Sequence, residues 1–118
     1  MVDYPNYIDS EEAHKMIQNC LNLLANHELY VAKFYMRRKA YRAAVSRLDT
    51  LLSAYRGSVV DADAMWLLSD AHSKLNEQVE AKKVLEDLAQ SYPESEAGKK
   101  AADKLRKINA AQDSTARR

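Results

Sequence analysis

The chain has 118 residues, enough for one small domain with a modest core, and its 18 Lys and Arg against 17 Asp and Glu leave a formal charge of +1, with no general pull toward nucleic acid or anionic lipid. Two Gly, two Pro and no strand-like alternation give an all-helix composition, and the single Cys20 excludes an internal disulfide. No apolar run approaches the roughly 20 residues of a membrane span, and the polar start Met1-Val2-Asp3-Tyr4-Pro5 lacks a signal-peptide pattern, so an export signal or lipid anchor is expected only in a longer parent.

Tyr4-Pro5-Asn6 reads as the end of a preceding helical unit. Asp9 with Glu12 has capping-box spacing, the Asp side chain taking a first-turn N–H and the Glu reaching back. From Ser10 to Lys39 there is no Gly or Pro, and Ala13, Ile17, Cys20, Leu24, Val31 and Tyr35 keep a helical stripe with His27 in its gap. This predicts one helix of roughly 45 Å, at about 1.5 Å per residue, or two nearly in line with a break near Asn26. Ala40 to Ala54 predicts a second helix with Ala44, Leu48 and Leu51 inward, closed by Tyr55-Arg56-Gly57-Ser58. Met65, Leu68, Ser69 and His72 then share one helical face. Ala81, Leu85 and Leu88 share another, across a turn at Asn76-Glu77-Gln78. After Tyr92-Pro93-Glu94, Ser95 is a plausible cap for a last helix. Its stripe is Ala97, Ala101, Leu105 and Ile108, with most of its lysines and arginines off the stripe. The polar stretch 109–118 has no period and is expected to be disordered.

Tyr4, Tyr55 and Tyr92 end three units at spacings of 51 and 37 residues. The second spacing lies near the roughly 34-residue period of the tetratricopeptide repeat, which the layout resembles. Aligned on Pro93, the repeat's small positions fall on Ser69 and Ala81, where two helices cross with backbones close. One unit earlier they fall on Ala32 and Ala44, followed by Leu48 and Leu51. Two departures stand out. Lys39 occupies a turn position where Gly is common, suggesting a tighter or different turn, and Arg56 replaces the terminal Pro, with Gly57 as the stop.

The resemblance therefore implies an all-α fold. It is a right-handed tetratricopeptide-repeat superhelix of about two repeats, with a long first helix and a C-terminal capping helix. The domain is read as 1–108, a fragment of a longer repeat protein, with 109–118 as the tail.

A more specific segment is His27-Glu28-Leu29-Tyr30-Val31-Ala32-Lys33-Phe34-Tyr35-Met36-Arg37-Arg38 and its continuation to Arg47. With the stretched helix and the Tyr-Pro endings, it resembles the C-terminal part of the BamD family. These are the tetratricopeptide-repeat lipoproteins of the bacterial outer-membrane β-barrel assembly machinery. The resemblance runs from about Tyr4 to about Ile108. It implies a non-catalytic scaffold that docks the POTRA region of the barrel subunit BamA and contacts smaller assembly lipoproteins. It places the full-length protein in the periplasm, at the inner leaflet of the outer membrane, through a lipidated cysteine that Cys20 does not supply. A binding arginine of the family falls on Arg47.

Each candidate residue also has a plainer reading. Arg47 can bind a partner carboxylate bidentately, or pair within the chain to Asp49, Asp61 or Asp63. Arg37, Arg38, Lys39 and Arg42 can meet an acidic partner surface, or simply complement a helix dipole. Trp66 and Met36, with Leu29, Lys33, Asp70 and Lys74, fall at groove-lining positions suited to anchoring a partner segment, and Trp66 equally fits the core. His14, His27, His72 and Cys20 lack zinc-ligand spacing, His27 and His72 reading as core-edge residues, and no phosphate loop or catalytic motif is present. No cofactor, metal or nucleic acid is expected, and the chain reads as no enzyme. Two other readings stand beside the assembly scaffold. One is a periplasmic repeat protein of the Tol-Pal-associated coordinator type, and the other a repeat module gripping a peptide in its groove.

Overall fold

The computed structural model describes residues 10–116, and side chains as far as residue 111. Five helices follow in order: α1 Glu11–Arg37, α2 Tyr41–Ala54, α3 Asp61–Lys74, α4 Gln78–Ser91 and α5 Glu96–Ala116. Each packs chiefly on its chain neighbours, with lighter contact between α1 and α3 and between α3 and α5. This is the nearest-neighbour stack of helical hairpins that the repeat pattern implies.

α1 is one unbroken helix of 27 residues, so no break occurs at Asn26. Its cap is Ser10, whose Oγ accepts from the Ala13 N–H at 3.1 Å. The expected capping residue Asp9, like the Tyr4-Pro5-Asn6 ending, lies outside the described residues. Residues 38–40 turn the chain with Lys39 in the left-handed region, φ 61°, and residues 75–77 repeat the turn with Asn76 at φ 62°. The hydrogen bonds repeat as well: the Ala40 N–H donates to Tyr35 O at 2.9 Å and the Glu77 N–H to His72 O at 2.8 Å. The Lys39 turn therefore does not differ in shape, as its sequence suggested. It is the same helix-ending motif, with a side chain carried at a position that favours Gly.

The four small positions are buried: Ala32, Ala44, Ser69 and Ala81 all lie in the helix crossings. One core joins Leu29, Leu48, Leu51, Val60, Ala64 and Leu68 across α1 to α3. A second joins Met65, Leu85, Leu88, Ala97 and Ala101 across α3 to α5. Leu52 and Val84 border both.

Two sequence readings change here. In α1 the inward face is Ala25, Leu29 and Ala32, whereas Ile17, Cys20 and Leu24, assigned to a packed stripe, are exposed. α1 is apolar on two sides, and only one of them meets α2. The second change is at the C-terminus. α5 continues to Ala116, so 109–116 is helical. Extending a nucleated helix needs propensity, which Ala110 and Ala111 supply, and no apolar stripe.

Candidate partner-docking surface

The α2–α3 junction and the end of α4 are tied together by Asp61. Its buried carboxylate accepts from the Gly57 N–H at 2.9 Å, the Ser58 hydroxyl at 3.0 Å and the Tyr92 hydroxyl at 2.9 Å. Burial, then the hydrogen bond to Asp61, raises the Tyr92 hydroxyl above its ordinary value of 10.0. With its carboxylate so occupied, Asp61 is not the partner of Arg47.

Nor are Asp49 or Asp63. Arg47, on α2, reaches across to α1, its Nη1 3.5 Å from Oε2 of Glu28. The Glu28 side chain is 15% exposed and that of Arg47 47%. The carboxylate oxygen facing Arg47 is fully buried and accepts no hydrogen bond among the described residues. A buried carboxylate of this kind depends on the cation beside it, which holds Arg47 at the α1–α2 seam with half its side chain in solvent. Nothing in the spacing marked Glu28, which lies on another helix.

The basic cluster at the α1–α2 turn divides. The Arg38 guanidinium lies 4.6 Å from the Phe34 ring centroid. Arg42 turns the other way, its Nη1 3.2 Å from Glu77 in the α3–α4 turn. Glu77 also lies 2.9 Å from His72 Nδ1. The His72 hydrogen bond, and after it Arg42, hold the Glu77 carboxyl below its ordinary 4.5 although desolvation opposes them. His72 thus sits at the core edge as expected, but His27 is exposed.

Leu29 lies inside the first core and is not an open groove position, and Met36 packs partly buried against that core. Trp66 combines the two alternatives left open for it. One side packs on the second core, and Lys104 of α5 stands 5.4 Å from its ring centroid. A cleft of about 430 Å³ lies there, lined by Trp66, Lys100, Asp103, Lys104 and Lys107. The sequence singled out Trp66 as a candidate but placed these lysines only off the apolar stripe, with no link to it. Among the described residues no three His, Cys, Asp or Glu groups converge on a metal position. No described helix is long and apolar enough to cross a membrane.

A family model described as "Outer membrane lipoprotein" (YfiO) matches residues 1–84. A protein named outer membrane protein assembly factor BamD from Xylella fastidiosa (strain 9a5c) is 32% identical over 93 residues, covering 76% of this chain and 32% of that protein. The protein of the same name from Haemophilus influenzae is 32% identical over 72 residues, 61% of this chain and 28% of the relative. One from Neisseria gonorrhoeae is 26% identical over 92 residues, 78% of this chain and 34% of the relative. The chain spans about a third of the length of these curated relatives. The matched stretch holds α1 to α3, both left-handed turns and the Arg47–Glu28 pair, and on that match the chain belongs to the YfiO family of outer membrane lipoproteins.

Proposed function

We propose that the chain is a non-catalytic docking module of the outer-membrane β-barrel assembly machinery that holds the periplasmic POTRA region of BamA. The relatives' names support the machinery. The observation that carries the docking reading is Arg47, fixed by a mostly buried Glu28 yet half-exposed on the helix surface. A pre-positioned guanidinium loses little freedom on binding and offers several donors to a partner carboxylate. Arg38, stacked on Phe34, and Arg42, paired with Glu77, are separate basic groups that the same proposal includes. The module stands in the periplasm at the inner leaflet of the outer membrane. Contacts with smaller assembly lipoproteins belong to the same proposal.

A second reading has its own observation. The cleft beside Trp66, with three lysines, suits an acidic segment carrying an apolar anchor. Nothing comparable favours the Tol-Pal-associated coordinator reading.

The test is titration of the chain with the POTRA domains of the same organism's barrel subunit. Arg47→Ala is expected to weaken binding about tenfold or more, near 1.4 kcal/mol, with unchanged helicity. Glu28→Gln, which keeps the guanidinium but loosens its hold, should weaken binding measurably, and by less than Arg47→Ala does. Binding indifferent to Arg47→Ala rejects the residue. No binding by the folded wild type rejects the docking reading and leaves the Trp66 cleft.

A further inference from the structure

Trp66 is the only tryptophan of the chain, and it stands on α3 with one side against the second core and the other on the cleft. The opposite wall is one face of α5. Lys100, Lys104 and Lys107 recur there at intervals of four and three residues, over about 10 Å of helix at 1.5 Å per residue. α3 and α5 touch directly, so the cleft is walled by two helices of this chain. Its volume of about 430 Å³ falls within the roughly 300–1,000 Å³ that ligand pockets occupy.

The charge of the cleft is one-sided. None of its three lysines has an ion pair among the described residues. The carboxylate in the lining, Asp103, is paired with Arg106 and does not neutralise them. Lys104 stands over the indole, which leaves Lys100 and Lys107, both exposed, on either side of it. On α3, Asp63 and Asp70 lie one turn before and one turn after Trp66, outside the lining. They repel an occupant's carboxylates from the α3 side and direct them to α5.

We propose that the cleft docks a short acidic segment of a partner protein, one leucine or aromatic side chain seated on Trp66 and carboxylates to either side meeting Lys100 and Lys107. It is the cleft of the second reading above, taken as a site beside Arg47 rather than in its place. α2, which carries Arg47, contributes nothing to the lining. Burial of the apolar anchor supplies the affinity, while the exposed lysines steer and select. A membrane surface or a nucleic acid fits less well, because Asp63, Asp70 and Asp103 interrupt any continuous basic face and the chain's net charge is only +1.

The lone indole reports on its own site. A blocked peptide Gly-Glu-Glu-Leu-Glu-Glu-Gly, titrated into the chain, should change the Trp66 fluorescence saturably. Replacing its leucine by glycine, or its glutamates by glutamines, should each weaken binding about tenfold or more. Lys100→Glu combined with Lys107→Glu should do the same with unchanged helicity, since both positions are exposed and outside the cores. Arg47→Ala should leave the peptide titration as it is, and the lysine pair should leave POTRA binding as it is, so failure of either site shows separately. No saturable change in fluorescence overturns the proposal. So does binding indifferent to the leucine or to the lysine pair. A response to phosphatidylglycerol vesicles without one to the peptide also overturns it, and assigns the face to a membrane.

Discussion

Glu77 joins two hairpins by holding two partners on one side chain. His72 reaches it from the end of α3 and Arg42 from the start of α2. The folded-state carboxyl is held below the unfolded value of 4.5, chiefly by the His72 hydrogen bond. Its stabilisation is therefore fully present above 4.5 and lost as pH falls through the folded value. Thermal melts of wild type and Glu77→Gln should differ at neutral pH in favour of wild type, and the gap should close on acidification through that window. An equal gap at every pH would mean that the carboxylate charge contributes nothing. None of this was visible in sequence, where His72 reads as a core-edge residue and Glu77 as a turn residue. The five-residue spacing across a turn becomes a contact only once Asn76 takes its left-handed conformation.

At the scale of the element, the chain has two glycines with opposite reasons for being glycine. Gly57 has φ 89° and open space around a would-be Cβ, so Gly57→Ala should cost only backbone strain, about 1–2 kcal/mol. A Cβ at Gly98 would drive into the Tyr92 carbonyl, where the α4 end and the capped start of α5 approach each other. Gly98→Ala must push α5 away, lifting Ala97 and Ala101 from the second core, and should cost about 1–3 kcal/mol in denaturant melts. A smaller loss at 98 than at 57 would contradict this account. Of these elements the sequence showed a good deal. Ala32, Ala44, Ser69 and Ala81 were legible because a crossing tolerates only small side chains at fixed spacing. The two faces of α1 were not, because periodicity marks apolar positions without saying which has a neighbour. Arg47 was legible as a candidate, but its partner within the chain was not, since Glu28 comes near only when α1 and α2 pack.

The described residues span 76 × 30 × 18 Å, long because α1 and α5 outreach the helices between them. Its two cores meet at Leu52 and Val84, so the stack is held by local interfaces rather than one centre. The fold class was therefore readable from short-range pattern alone, and the lengths of the two outer helices were the part that pattern decided least. The paired turns at Lys39 and Asn76 also have an engineering consequence. Residues 40–76 follow the left-handed Lys39 and end on the left-handed Asn76, 37 residues later, and the amide after each donates to the carbonyl five residues back, so the segment is a cassette whose two splice points have matching turns. Copying 40–76 in tandem introduces no new junction, and the lengthened chain should gain helicity in proportion to the inserted residues by circular dichroism. A loss of helicity per residue would show that the flanking helices, not the turns, set where the chain can be spliced.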